Sequence, residues 1–314
     1  MDAIKGLLEH ETAGDPVSGL KWTRKTTQKV ADELKSLGIR VGRTTVGRLL
    51  KKMKYSLKAN QKKIAAGNGP DRNEQFEYIS RRRKQAAAEG IPVISVDTKK
   101  KELVGPFKNP GATWRQQAHL VNDHDFRSAA TGVAVPYGIY DVEANRGFVC
   151  VGVSYDTAQF AADSIERWWR AEGRERYHDA TELLILADGG GSNGFRCRLW
   201  KSALQKTLCD RHGISVTVAH YPSGASKWNP IEHRLFSEIA KNWAGEPLDS
   251  LETILKFIRT TKTTTGLKVR CRLVTKQYNK GIRISDERME QLNMTKHDIL
   301  PKWNYTLSPI LESS

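Results

Sequence analysis

Two short apolar runs that each end in an aspartate constrain this chain more than any other feature. Leu183-Leu-Ile-Leu-Ala-Asp188 delivers a carboxylate to the start of the turn Gly189-Gly-Gly-Ser-Asn-Gly194, and Ile91-Pro-Val-Ile-Ser-Val-Asp97 repeats the design ahead of Thr98-Lys-Lys-Lys-Glu102. A run of this length bounded by turn signals reads as a buried strand. In open sheets, ligands gather at the carboxyl ends of such strands. Taken alone, Asp188 is equally well explained as a turn cap, because Asp-Gly is a common turn dipeptide. A second acid in the same setting shifts the balance toward a site.

The remaining chain bounds what that site serves. A length of 314 residues allows two domains, and 39% hydrophobic content with eight tryptophans is enough for a substantial core. No apolar run is long enough for a membrane span, and the opening Met1-Asp-Ala-Ile-Lys5 lacks the layout of a secretory signal, so a cytoplasmic location is expected. Cys150, Cys197, Cys209 and Cys271 form no C-x-x-C pair and read as reduced and structural. The formal charge is +16, and residues 1–90 hold 20 Lys/Arg against 10 Asp/Glu. That concentration of charge points to a polyanion, with nucleic acid favoured over a merely solvated basic surface. A membrane-surface role lacks its amphipathic helix with a bulky apolar face.

The basic third has its own pattern. Thr26 to Leu37 places Val30, Leu34 and Leu37 at helical spacing behind a threonine N-cap, and Gly38 stops it. A second segment, Arg43 to Met53, sets Val46, Leu49, Leu50 and Met53 on one face and Arg43, Thr44, Thr45, Arg48, Lys51 and Lys52 on the other. Two short helices joined by a tight glycine turn, the second basic, match a helix-turn-helix with its recognition helix on duplex DNA; an ordinary helical hairpin is the competing reading. Residues 1–65 are therefore expected as a DNA-binding domain and 66–90 as a basic helical connector, with Lys58–Lys63, Gly67–Pro70 and a helix from about Asp71 to Glu89 carrying Arg81-Arg-Arg-Lys84.

After Asp97, an irregular insertion between Gly105 and Gly132 carries His119, Asp123, His124 and Asp125, which without fixed spacing reads as a polar loop more readily than as a metal site. Two strands over 135–142 and 147–154 form a hairpin. A helix from Asp156 to Arg170 buries Trp168 and Trp169, the Asp188 strand follows, then a helix to Gly213 and a strand over 214–221. The loop from Tyr221 through Lys227 runs into a helix with Asn229 as N-cap and Pro230 in its first turn. Ile231, Leu235 and Ile239 bury that helix, leaving Glu232 free to point elsewhere. Asn229-x-x-Glu232 also resembles a capping box, in which the glutamate merely accepts a backbone N–H. The order of elements is a mixed sheet flanked by helices, with Asp97, Asp188 and Glu232 able to converge at one edge. Such a trio suits Mg²⁺, which prefers hard oxygen ligands, and two ions can assist both attacking and leaving oxygens in phosphoryl transfer.

The motifs Ser95-Val-Asp-Thr-Lys-Lys-Lys-Glu-Leu-Val-Gly105, Val135-Pro-Tyr-Gly-Ile-Tyr-Asp141, Ala187-Asp-Gly-Gly-Gly-Ser-Asn-Gly194 and His220-Tyr-Pro-Ser-Gly-Ala-Ser-Lys-Trp-Asn-Pro-Ile-Glu-His-Arg234 resemble those of the Rhodopirellula-type DDE transposases of bacterial insertion sequences, distantly similar to the mariner group, whose Asn-Pro-Ile-Glu signature Asn229 to Glu232 matches. The resemblance implies a ribonuclease-H-like α/β catalytic domain over 91–314, catalysis and metal binding by Asp97, Asp188 and Glu232, and dependence on Mg²⁺ or Mn²⁺, with Asp97 and Asp188 sharing one ion and Glu232 holding the other. It implies strand cleavage at element ends and transfer of a 3′-hydroxyl to target DNA, by a homo-oligomer on the nucleoid. It also leads one to expect more sequence ahead of the helix pair. A nuclease that cuts without joining, or a regulator derived from an inactive transposase, are the alternatives. The C-terminal run Thr260–Thr265 and the basic strand Leu267–Leu273 read either as extra DNA contacts or as an edge strand protected by charge.

Overall fold

The computed structural model describes residues 3–4, 7, 13–14, 21–22, 26–53, 55, 71–222, 224–225 and 228–310. The chain falls into two compact units, residues 1–65 and 66–314. Lys58–Lys63, Gly67–Pro70 and Lys227 lie outside the described residues.

In the first unit, α1 (Thr27–Ser36) and α2 (Arg43–Lys52) carry the helical pair. The Thr26 hydroxyl accepts the Lys29 N–H at 3.1 Å, so one orphan donor of the helix start is satisfied. Gly38 turns the chain at φ +80°, a left-handed conformation that costs glycine little. Ile4, Val30, Ala31, Leu34 and Val46 form a small core, with Leu49, Leu50 and Met53 packed against it. Leu37, expected on the apolar face, is 59% exposed, because the helix ends one residue earlier and Leu37 becomes its C-cap.

The second unit is built on a mixed sheet. Its strands are β1 (Val93–Thr98), β2 (Glu102–Val104), β3 (Gly132–Asp141), β4 (Arg146–Gly152), β5 (Glu182–Ala187), β6 (Ser215–His220), β7 (Lys268–Val274), β8 (Met294–Lys296) and β9 (Asn304–Leu307). Their order across the sheet is β8-β9-β6-β5-β1-β3-β4-β7, with β2 pairing β3. β5 runs parallel to β1 and to β6, β3 runs antiparallel to β1 and β4. The turn between β3 and β4 closes through Asn145 at φ +50°, a conformation asparagine tolerates better than most residues.

Side-chain alternation along the strands builds a layer on each face. On one face Ile94, Val96, Ile139, Phe148, Ile185 and Val218 pack with Phe160, Ile165 and Trp168 of α4 (Ala158–Trp168) and Trp200 and Leu204 of α5 (Arg198–Leu204). Both helices continue through a π turn, Trp169–Gly173 and Gln205–Cys209, and the second ends at Gly213 with φ +67°. On the other face, the helix over 230–242, formed by the π turn Glu232–Phe236 and α6 (Ser237–Asn242), joins α7 (Leu251–Thr260) over β3, β4 and β7.

The basic helix expected as a connector, α3 (Asp71–Glu89), lies on this same face: Tyr78, Ile79 and Ala86 are buried with Val93, Leu184, Leu186 and Tyr221. Its polar Gln75 is fully buried and exchanges amide hydrogen bonds of 2.7 Å with Asn304 of β9. The C-terminal region extends both sheet edges, β7 beside β4 and the β8–β9 hairpin beside β6. Along edge strand β7, exposed Lys268, Arg270 and Arg272 alternate with buried Val269 and Cys271. No helix among the described residues is long and apolar enough to cross a membrane.

Candidate active site

Strand register brings the two aspartates together. Val96 of β1 pairs with Ala187 of β5, so the next residue on each parallel strand, Asp97 and Asp188, emerges beside the other at the same sheet edge. The two-residue period turns Ser95 and Asp97 toward the face that buries Val93, Leu184 and Leu186. The Thr98 N–H donates to Asp97 Oδ1 at 2.7 Å, fixing the carboxylate at the strand end.

The third acid arrives on the helix over 230–242, and two glycines let that helix approach. A Cβ on Gly138 of β3 would lie 2.5 Å from Phe236 and 2.9 Å from Ile231, and one on Gly147 of β4 would lie 2.5 Å from Leu235. Asn229 is fully buried, and its side chain is engaged by β1: it accepts from the Ser95 hydroxyl at 2.5 Å and reaches the Val96 carbonyl at 3.5 Å, while Ser95 Oγ accepts the Ile231 N–H at 3.0 Å. The same amide favours the ionised form of Asp188. Asn229 is therefore a clasp between helix and strand. The Glu232 side chain lies near enough to Asp97 for each to act on the other's ionisation.

Electrostatics bind the trio. Burial, followed by the charge of Asp188, pushes Asp97 up to about 8, with Glu232 and Asp156 adding to the rise. Burial and then Glu232 push Asp188 up to about 6. Burial also raises Glu232, opposed by His233 and Lys99. Asp97 and Asp188 are each raised by neighbouring carboxylates, a like-charge effect that a bound cation would relieve. Asp188 Oδ1 is buried without a hydrogen-bond partner, and the donors are hard oxygens, the type that Mg²⁺ and Mn²⁺ take. Among the described residues no group of three His, Cys, Asp or Glu stands ready to enclose an ion. The fit is thus one of donor chemistry, with Glu232 turned onto Asp97.

Two shallow clefts meet here. One of about 560 Å³ is lined by Asp97, Asp188, Asp156, Gly190 and Ser192, the other of about 510 Å³ by Glu232, His233 and Phe236, and both include Lys99 and Lys100. Lys99 is held by Glu102 at 2.8 Å and lies 4.3 Å from the Trp243 ring centre, so it is a fixed charge and not a solvated loop lysine. The turn after Asp188 uses Gly191 at φ +72°. Its end is pinned where Asn193, 1% exposed, presents its carbonyl 2.8 Å from His220 Nε2, while His220 Nδ1 lies 2.9 Å from the Trp303 carbonyl.

Of the residues expected to read DNA, Arg43, Thr44, Arg48, Lys51 and Lys52 are exposed on α2 and Thr45 is half-buried. His119, Asp123, His124 and Asp125 remain a polar loop, with His124 beside Asp123 at 3.1 Å. The four cysteines carry free thiols, three of them buried. Sequence reading missed Asp156, half-buried in the first cleft, where its Oδ1 accepts from Thr98 Oγ1 at 3.1 Å. No apolar run delivers it, so it left no pattern. Ser95 did leave one: a hydroxyl two residues before Asp97 in an apolar strand must share its face.

Among solved structures, the chain is similar to the Mos1 transposase paired-end complex with left transposon end at 16% identity, over 82% of this chain and 69% of that one, with a TM-score of 0.44. It is similar to the Mos1 strand transfer complex at 16% identity over 82% and 68%, TM-score 0.45, and to a pre-cleavage Mos1 transpososome at 14% identity over 81% and 68%, TM-score 0.46. No curated protein matches the chain. The model of the Rhodopirellula transposase DDE domain, in contrast, matches residues 3–309, and by that extent of match the chain carrying this acidic cleft belongs to that transposase family.

Proposed function

We propose that this chain is a divalent-metal-dependent transposase that cleaves DNA strands at insertion-sequence ends and joins a freed 3′-hydroxyl to target DNA. The observation that carries the reading is the parallel register setting Asp97 beside Asp188, with Glu232 brought against Asp97 by a helix clasped to the same strand. Asp97 and Asp188 would hold one Mg²⁺ or Mn²⁺ ion and Glu232 a second. Such ions, when bound, polarise the phosphate and lower the pKa of the attacking water or hydroxyl. The protein's own contribution is positional. Lys99 and Lys100 border both clefts and offer positive charge to the phosphates flanking the reacting one. Gly190, with open space where a side chain would stand, leaves the turn after Asp188 free to approach a backbone.

The central strands β4-β3-β1-β5-β6, with β3 alone antiparallel to its neighbours, support a ribonuclease-H-like assignment for the catalytic domain over 91–314. Residues 1–65 would be the helix-turn-helix reader and 66–90 the segment joining them. Joining an element's two ends calls for more than one acidic cleft, hence a homo-oligomer on the DNA.

The test is strand cleavage and joining on element-end duplexes. The parent chain should cut and join only with Mg²⁺ or Mn²⁺, and Asp97→Asn and Asp188→Asn should do neither while melting at or above the parent's temperature, since each removes a carboxyl whose ionisation burial and its neighbours oppose. Cutting without joined product would favour a nuclease. Metal-independent activity, or full activity in either variant, would overturn the assignment.

A further inference from the structure

A third cleft, of about 440 Å³, opens on the same sheet face and differs in chemistry: it is aromatic and basic. It is lined by Phe76, Arg83 and Lys84 of α3 together with Tyr221 and Trp228. Phe76 lies between Tyr221 and Trp228, with ring centres 6.2 and 5.8 Å away, and the Arg72 guanidinium sits 5.4 Å from its ring centre. Trp228 is 56% exposed although it is held edge-on to Phe76. More than half exposed, the indole presents surface to whatever enters the cleft. Arg83 is half-buried and Lys84 exposed, so positive charge lines the same cleft.

Two residues of this cleft stand next to elements of the acidic site. The Tyr221 N–H donates to the Ala187 carbonyl at 2.8 Å, and the Tyr221 phenol feels the charges of both Asp188 and Arg83. Trp228 directly precedes Asn229, the clasp that fixes Glu232. Tyr221 thus ties the aromatic cleft to Asp188, and Trp228 ties it to the start of the helix that carries Glu232.

We infer that this cleft, lined by α3, Tyr221 and Trp228, receives an unpaired nucleotide of the DNA strand being processed, its base stacked on Trp228 and its phosphate against Arg83 and Lys84. The inference rests on the transposase reading of the acidic site. A base within an intact duplex already stacks on its neighbours and has no face to offer; an unpaired base has one, and aromatic side chains capture such bases with little regard to sequence. Enzymes acting at a strand position commonly take a nucleotide out of the stack. Glu143, the acidic exception on the rim, can accept from an exocyclic amino group, as carboxylates do with cytosine. An acidic or apolar peptide would gain less, because the cleft adjoins the residues proposed to act on phosphates.

The experiment uses the full chain without divalent metal and two short duplexes of one sequence, one blunt and one with a single-stranded overhang carrying a fluorescent adenine analogue whose emission falls on stacking. Wild type should quench the analogue and prefer the overhang duplex. Trp228→Ala should abolish the quenching and weaken overhang binding roughly tenfold, the order expected for one lost stacked base, with blunt-duplex affinity and melting temperature unchanged. Trp228→Phe should retain most of both signals. Undiminished quenching in Trp228→Ala, or equal losses on both duplexes, would overturn the inference. A wild type that cleaves with metal yet shows no quenching would sink this inference alone, whereas absence of metal-dependent cleavage is the result that sinks the transposase reading.

Discussion

At the residue scale, Glu232 and Asn229 divide roles that the sequence spacing left entangled. Glu232 lies against Asp97, so Glu232→Gln should stay folded with a melting temperature near the parent's, yet lose cleavage and weaken Mn²⁺ binding by calorimetry, because the amide lacks the charge that a hard ion needs. Asn229→Ala should behave differently. It strips partners from the buried Ser95 hydroxyl and from Asp188, so denaturant melts should show a loss of about 1–3 kcal/mol, the cost of leaving buried polar groups unpaired, together with reduced cleavage. A full-rate Glu232→Gln enzyme would return Glu232 to a structural role. His220 supplies a pH test. Burial holds its imidazole down at about 4, although the Trp303 and Asn193 carbonyls favour the charged form. The unfolded chain takes up that proton at its ordinary value of 6.5, so stability present above 6.5 should drain as pH falls toward 4. Thermal melts across that window should show the fall, and His220→Gln should flatten it; an identical slope in the variant would remove His220 as its source.

At the element scale, the decisive contact is the helix over 230–242 lying on β3 and β4. Gly138 and Gly147 admit Ile231, Leu235 and Phe236 where any Cβ would collide. Gly138→Ala should cost roughly 1–3 kcal/mol as an overpacked core does, and cleavage should fall further than stability, because the shifted helix carries Glu232. Gly132→Ala, which meets nothing within 4 Å at the start of the same strand, is the matched control. Equal melting curves for the two variants would show that the helix tolerates the displacement and that Gly138 does not set the position of Glu232.

At the scale of the whole molecule, positive charge is concentrated in the amino-terminal third. Residues 1–90 hold 20 Lys/Arg against 10 Asp/Glu, and α2 exposes Arg48 in a row with Arg43, Lys51 and Lys52. Duplex binding by the full chain should therefore weaken steeply with salt, since each neutralised phosphate releases counterions. Arg48→Ala should lower affinity and, for a phosphate contact, reduce the logarithmic salt slope by about 1. Fluorescence anisotropy over a salt series reads both, and an affinity indifferent to salt would remove α2 as a DNA-reading surface.

What the sequence determined by itself was local. Apolar runs, glycine stops and threonine caps located the strands ending at Asp97 and Asp188, the helix from Asp71 to Glu89 and the helix pair around Gly38, because each is specified by near neighbours through periodicity and backbone preference. The motifs carried the family as well, since they are contiguous strings. Tertiary structure decided everything that depends on distant partners. It set α3 on the sheet through Tyr78, Ile79 and the Gln75–Asn304 amide pair, 229 residues apart. It set the basic C-terminal strand, which the sequence left between DNA contact and charged edge, beside β4, and it added beside β6 a hairpin that the sequence reading had not assigned. It brought Asp156 into the cleft and gave Asn229 to Ser95 in place of a helix cap. A one-dimensional pattern records which face of an element is apolar, but which other element covers that face, and which polar group it meets there, is fixed only when strand register and helix packing close together.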